Sequence, residues 1–306
     1  MRSRGVTARV PAKVNLQLSV GPLGSDGFHE VTTVFQAISL FDDVTVATTS
    51  ENDGIKISIT GQTSTGVPVD NSNLAIKAAQ LMIANYDLPK DLSIKLKKEI
   101  PVAGGMAGGS ADAAGVIVGL DSLFELGLSR DEMESVGSKI GSDVPFSICG
   151  GVAIGTGRGD QITPALAKGN YNWVLALSGQ GLSTPAVYQE CDRLREGLSI
   201  APPVVSEQLM QALRAGDAKA LGKALTNELQ PAACSLRPAL RLVLDVGTEY
   251  GALGGIVSGS GPTVAFLVSD DEHAIDLTVA LSSSGVVSSV VRANGPTHGA
   301  RIIESF

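Results

Sequence analysis

With 306 residues, the chain is long enough for two domains or one large one, and its 43% hydrophobic and 18% charged content is that of an ordinary soluble globular protein, which excludes disorder over any long span. A net charge of −8 argues against a surface built to neutralise a nucleic-acid backbone. The cysteines, Cys149, Cys191 and Cys234, lie far apart without C-x-x-C spacing, which suits free, buried thiols in a reducing compartment.

Between Met1 and Val10 the chain carries early arginines, and Lys13 interrupts any apolar run before it reaches signal-peptide length. Val6 to Val20 alternates loosely between apolar and polar residues and predicts a strand pair or a bent strand, with Pro11 at the break. Lys13 and Asn15, two apart, point to one face of such a strand while Val14 and Leu16 point to the other. For a single lysine, an exposed strand face is the simpler reading. After a turn at Gly21 to Gly27, Phe28, His29 and Glu30 lead into a strand from Val31 to Leu40. Asp43 to Thr48 and Ile55 to Ile59 predict two further antiparallel strands, and Gly61 to Asn73 a polar loop. A helix from Leu74 to Tyr86 is predicted, with Asn73 as N-cap. In Ser93 to Glu99, Ile94 and Leu96 face inward and Lys95 and Lys97 outward, so the lysine cluster reads as a solvated strand face.

The stretch from Ile100 to Ala114 holds four glycines and a serine and runs straight into an alanine-rich helical pattern. Glycine admits positive φ and brings no Cβ, so successive backbone N–H groups can converge on an anion, and a helix beginning near Ser110 adds its unpaired N–H groups and the positive end of its dipole. This reads as a phosphate cradle. A flexible loop or close helix packing reads equally well from the glycines alone. Gly104 and Gly109 match the glycine pair of a Walker A loop, but Ser110 and Ala111 stand where that motif needs Lys and Ser or Thr, and no G-x-G-x-x-G can be drawn.

Ala111 to Phe124 is the strongest helix signal in the chain. Ser129 with Glu132 forms a capping-box pattern opening a helix to Ile140, which Gly141 to Phe146 breaks. Gly150 to Thr163 is a glycine-punctuated strand region containing the domain boundary, and Arg158 in Gly157-Arg158-Gly159 reads as a surface turn ahead of a phosphate contact. The second half predicts a strand at Trp173 to Leu177, a helix with Thr184 as N-cap and Pro185 at its first position, and helices at Ser206 to Leu213 and Leu236 to Thr248. Strands follow at Gly254 to Ser258, Thr263 to Val268, Val286 to Arg292 and Ala300 to Ile303, with a helix from His273 to Ser283 between them. The uncharged run from Gly251 to Ser269 is too rich in Gly, Ser and Pro for a membrane span, so no membrane partner and a cytoplasmic location are expected. The pattern is α+β throughout. Low aromatic content and scattered apolar positions mark no self-complementary patch, so no oligomeric state is assigned.

Three separated stretches, Pro11 to Leu16, Pro101 to Ala114 and Gly254 to Phe266, occur in an order and at a spacing that resembles the GHMP small-molecule kinases. The similarity extends over nearly the whole chain. Ala12-Lys13-Val14-Asn15-Leu16, Asp26-Gly27-Phe28-His29-Glu30 and Gly141-Ser142-Asp143-Val144-Pro145-Phe146 bring it nearest to the members that phosphorylate a cytidine diphosphate ester of methylerythritol on the non-mevalonate route to isoprenoids.

The resemblance implies two α+β domains, residues 1–158 and 159–306, with the active site in the cleft between them. It implies transfer of the ATP γ-phosphate to the 2-hydroxyl of the methylerythritol portion, with Asp143 as general base and Lys13 as its charged partner. Such a reaction asks mainly for positioning and charge stabilisation, which one carboxylate and one cation supply. By the same resemblance Pro101, Val102, Ala103, Gly104, Gly105, Met106, Ala107, Gly108, Gly109, Ser110 and Ala111 would wrap the ATP phosphates, and Ser110 would offer its hydroxyl to a phosphate or to Mg2+. Asn15 and Thr184 would contact the acceptor, His29 would hydrogen-bond the cytosine, and Phe28 and Tyr188 would sandwich its ring.

The chain departs from the family pattern at Ala111 and Asp112, where a second serine and an asparagine are common, so that Asp112 contributes a carboxylate or merely favours the helix N-terminus. It departs again at Phe28, commonly tyrosine, where stacking survives and a polar contact is lost. Within the same class a kinase for homoserine, mevalonate or a sugar is the rival reading, and outside it a nucleotide-binding module without catalysis, which would not need both Lys13 and Asp143.

Overall fold

The computed structural model describes residues 4–50 and 54–306, so Met1 to Ser3 of the arginine-bearing start lie outside the described residues. The first half runs β1 (Gly5–Leu23), β2 (His29–Thr48), β3 (Ile55–Thr60), α1 (Leu74–Tyr86), β4 (Leu92–Lys97), α2 (Gly108–Phe124), α3 (Arg130–Ser138), α4 (Val144–Cys149), β5 (Val152–Thr156) and β6 (Gln161–Pro164). The second half runs β7 (Tyr171–Leu177), α5 (Thr184–Leu194), α6 (Glu207–Ala215), α7 (Ala218–Ala224), β8 (Thr226–Asn227), α8 (Gln230–Leu236), α9 (Ala239–Glu249), β9 (Gly254–Val257), β10 (Val264–Val268), α10 (Asp271–Ser283), β11 (Ser289–Gly295) and β12 (Arg301–Ser305).

One sheet has the path β12-β1-β2-β4-β3, with β5 and β6 added beside β2 and the short β8 beside β1; the other has the order β11-β7-β10-β9. β1 is the bent strand predicted, with its pairing to β2 shifting at Pro11/Ala12 and again between Asn15 and Gln17. Asp43 to Thr48 is not a separate strand but the end of β2: Asp42 and Asp43 open no turn, their carboxylates being taken by the Glu99 and Ile100 N–H groups and by Arg9, and pairing with β1 runs on to Gly5↔Ala47. β3 does not pair with that segment either. It lies parallel to β4, which separates it from β2, as a β-α-β crossover through α1 requires. The run Gly251 to Ser269 forms β9, a turn and β10, and among the described residues no helix is long and apolar enough to cross a membrane.

Local signals hold where a side chain completes a backbone bond. Asn73 accepts from the Ala75 N–H at 2.8 Å, and Ser129 with Glu132 closes the capping box. The N-cap of α5 is Ser183 rather than Thr184, whose hydroxyl bonds Ser260 instead at 2.8 Å. The missed elements α4, which starts inside the predicted break at Gly141 to Phe146, α7, β8 and α8 are all under eight residues, too short for apolar periodicity to register.

α2 positions the site. Its Ala113, Ala114, Ile117 and Leu120 are fully buried, and its interior glycines let it lie close on the sheet: a Cβ on Gly115 would stand 2.6 Å from Val44. The helix begins three residues before the predicted Ala111, capped by Ala107 in the left-handed conformation with no side-chain cap bond, so its first-turn N–H groups are left for another partner.

The predicted solvated lysine face is correct for Lys95 and Lys97, which are exposed, but Lys98 of the same run is buried. Its ammonium is bonded to Asp42 and, at 2.6 Å, to Asp112, and it donates to the Gly108 carbonyl at 3.2 Å. Asp42 also accepts from the N–H groups of Glu99 and Ile100 at 2.7 and 2.9 Å. Asp112 therefore serves neither of the roles expected for it. It is a counter-ion beneath the entry to α2.

Candidate active site

The two bulges in β1 flank Lys13 and Asn15, and a bulge re-aims the side chains beside it. Alternation sends Ala12, Val14 and Leu16 into the core and Lys13 and Asn15 toward a cleft of about 570 Å³. Lys13 is nearly buried, its ammonium donating to Asn15 Oδ1 at 2.5 Å, while Asn15 Nδ2 donates to Thr33 Oγ1 at 2.8 Å and Thr33 donates to the Gln17 carbonyl at 2.7 Å. This relay anchors the amine beside Asn15. Across the cleft, Asp143 ends the Gly141 turn at the N-cap of α4 without making a capping bond, and its Oδ2 stands 3.9 Å from Lys13 Nζ. Burial pushes the Lys13 ammonium below its ordinary range, and the Asp143 charge opposes the shift.

The glycine stretch forms the cleft's second wall. Ala103, Gly105 and Ala107 alternate in the left-handed region, at φ 51°, 77° and 62°, an alternation that turns successive N–H groups toward one concavity. Two of the three are alanines, so the loop holds strain of about 1–3 kcal/mol at each. The turn between β9 and β10 keeps it in place: Ser258 Oγ donates to the Gly105 carbonyl at 3.0 Å and the Thr263 N–H to the Gly104 carbonyl at 3.3 Å. Gly105 admits no side chain, since a Cβ there would lie 2.1 Å from the Ser258 carbonyl oxygen.

Lys13, Asn15, Asp143, Thr184 and Tyr188 line this cleft with Pro101, Ala103, Gly104, Gly105, Ala107, Gly108, Gly109 and Ser110. Of the remaining loop residues, Met106 and Ala111 turn fully into the core and Val102 outward into solvent. Phe28 and His29 line an adjoining basin of about 700 Å³, which shares Tyr188 and Thr184 with the first. His29 lies with its ring centroid 5.3 Å from that of Tyr188; its Nδ1 is 2.9 Å from the Gly21 carbonyl oxygen and its Nε2 3.3 Å from Asp192. Burial pushes the Tyr188 hydroxyl up to about 12, with the Asp143 charge adding to it, so the phenol stays protonated. Phe28 is half exposed, and the Arg158 guanidinium lies 3.8 Å over its ring.

Several residues that build the site were given no role by the sequence. Gly259, Ser260 and Gly261, read only as a turn within the Gly254 to Phe266 stretch, line the cleft beside the glycine stretch, where a Cβ on Gly259 would stand 3.2 Å from the Gly105 carbonyl oxygen. Asn227 is buried and donates to the Val257 and Gly259 carbonyls at 2.7 and 2.8 Å, which fixes that turn against Lys13. Among the described residues no group of three or more His, Cys, Asp or Glu could hold a metal ion, and Asp112 is committed to Lys98. A divalent ion bound chiefly by phosphate oxygens and water needs few protein ligands, and the Ser110 hydroxyl in the first turn of α2 suits that sparse set.

Residues 73–151 match the model for the GHMP kinases N terminal domain and residues 209–287 that for the GHMP kinases C terminal. The chain is 50% identical to the 4-diphosphocytidyl-2-C-methyl-D-erythritol kinase of Rhodococcus jostii, over 98% of this chain and 96% of that protein. It superimposes on a crystal structure of 4-(cytidine 5'-diphospho)-2C-methyl-D-erythritol kinase with a TM-score of 0.74 at 30% identity, covering 94% of this chain and 98% of that one. A homoserine kinase from Cytophaga hutchinsonii also gives a TM-score of 0.74, over 98% of this chain and 97% of that one, but at 16% identity it shares the fold alone.

Proposed function

The chain belongs to the GHMP kinases, in the 4-diphosphocytidyl-2-C-methyl-D-erythritol kinase family, and from that premise we propose that it is the ATP-dependent kinase that phosphorylates the 2-hydroxyl of 4-diphosphocytidyl-2-C-methyl-D-erythritol. The observation that carries this reading is the convergence of Lys13 and Asp143, 3.9 Å apart, at the mouth of the glycine loop. The left-handed alternation and the uncapped start of α2 receive the ATP phosphates on backbone N–H groups. Asp143 orients the acceptor hydroxyl. As the bond from that oxygen to the γ-phosphorus forms and the bond from the γ-phosphorus to the β-bridging oxygen breaks, the hydroxyl proton passes to the Asp143 carboxylate and ADP departs. Lys13 stands 3.9 Å from Asp143 and lies beside the charge that develops on the transferring group.

Mg2+ bound at Ser110 and the phosphate oxygens would supply charge neutralisation there. Asn15, which holds the Lys13 ammonium, and Thr184, on the opposite wall, face the acceptor. In the adjoining basin His29 and the Phe28 and Tyr188 rings hold the cytosine. The division into 1–158 and 159–306, with the site between them, and a cytoplasmic location belong to the same reading. A homoserine, mevalonate or sugar kinase would have no use for a nucleobase basin, and a non-catalytic nucleotide module none for Lys13 with Asp143.

The test is ADP release measured with the cytidylyl acceptor, homoserine and mevalonate side by side. Turnover of the cytidylyl acceptor alone is expected. Turnover of homoserine or mevalonate without it refutes the assignment.

A further inference from the structure

The reaction cleft and the nucleobase basin meet along a seam of six residues that line both: Val31, Ser142, Arg158, Thr184, Pro185 and Tyr188. Arg158 is the only charged side chain among them. An acceptor with its base beside His29 and its hydroxyl beside Asp143 must pass its diphosphate across this seam, since that group joins the two ends of the molecule. We propose that Arg158 is a specificity-determining residue that binds the acceptor's diphosphate, an inference that rests on the acceptor named above.

The surroundings of Arg158 fit this role. The chain is acidic overall, with a net charge of −8, so a dianionic bridge needs a local cation. Lys13 cannot supply it, being nearly buried and engaged by Asn15 and Asp143. Lys139 lines only the nucleobase basin.

Arg158 itself is held but not used up. Its backbone N–H donates to Asp160 at 3.2 Å, and one Nη donates to Asp26 at 3.1 Å in a pair whose two side chains are more than half exposed. An exposed pair of that kind is weak, and the guanidinium keeps other N–H donors for two phosphate groups. Asp26 in turn accepts from the Phe28 N–H at 3.1 Å, so the arginine, the carboxylate and the ring form one unit. The guanidinium takes one face of Phe28 and leaves the other for the base.

Calorimetric titration of the full chain with CDP and with cytidine isolates the diphosphate increment without relying on turnover. Wild type is expected to bind CDP more tightly than cytidine. In Arg158→Met that preference falls about tenfold, with cytidine affinity retained; Arg158→Lys keeps part of it, and Lys139→Met leaves it unchanged. A CDP preference unchanged in Arg158→Met, or lost in Lys139→Met instead, overturns the role given to Arg158 while leaving the acceptor assignment standing. Wild type that binds neither compound overturns the acceptor assignment and this inference together.

Discussion

Replacing Lys98 by Met removes one ammonium from between two buried carboxylates. Lys98, Asp42 and Asp112 are 1%, 0% and 2% exposed, and Asp112 Oδ1 has no hydrogen-bond partner. Two acidic groups thus share one cation where water cannot reach them. Burial raises both carboxyls, Asp112 up to about 7, while the charge of Lys98 opposes the shift. Loss of that charge leaves the carboxylates uncompensated, a change that costs about 3–5 kcal/mol. Unfolding entropy of about 2.1 cal/mol/K per residue makes 4 kcal/mol a fall in Tm of roughly 6 °C for a chain of 306 residues.

The pH dependence separates this mechanism from simple loss of packing. A carboxyl whose pKa is higher in the folded than in the unfolded chain binds more protons when folded, so stability falls as pH rises through the interval between the two values. In wild type that interval for Asp112 runs from 3.8 to about 7. Without Lys98 the folded values climb further, so the variant's deficit grows from pH 5 to pH 8. Asp112→Asn acts oppositely: it leaves one Lys98–Asp42 pair and removes the Asp112 share of the slope, and its stability relative to wild type improves over the same range. Urea unfolding of all three proteins at pH 5 and pH 8 measures both effects. A Lys98→Met deficit below about 1 kcal/mol at pH 8, or one equal at the two pH values, refutes the reasoning.

Asp143→Asn keeps the shape of the cleft and removes the proton acceptor, so kcat should fall about 10²–10⁴-fold with ATP affinity retained; turnover within a few-fold of wild type would take the base role from it. Because burial lowers the Lys13 pKa in the free enzyme, the alkaline limb of the kcat/KM profile should begin below the ordinary lysine value of 10.5, as the ammonium is lost with rising pH; a flat profile up to that value counts against a working charge at Lys13. Gly105→Ala places a Cβ 2.1 Å from the Ser258 carbonyl oxygen at φ 77°, so the loop must shift. A raised KM for ATP is expected, with a KM for the acceptor that moves little; unchanged ATP kinetics would mean that this loop does not hold the phosphates.

The sequence by itself determined the elements whose signals are local. Asn73 and the Ser129–Glu132 pair announce helices because a cap is a bond between near neighbours. The alternation in Lys13 to Leu16 sets which residues leave the core because a strand repeats every two residues. The glycine stretch could be read as a phosphate cradle because backbone freedom is a property of the residue itself.

What only the tertiary structure decided depends on partners far along the chain. Lys98 looks like its exposed neighbours until Asp42 and Asp112, 56 and 14 residues away, are brought around it. Ser258 passes for the end of a strand and Asn227 carries no signal until long-range folding sets them against Gly105 and Gly259. Arg158 reads as a surface turn because its neighbours in sequence are glycines. Its place on the seam comes from α5 and the 24–28 loop closing on either side of it, a juxtaposition that no periodicity in the sequence encodes.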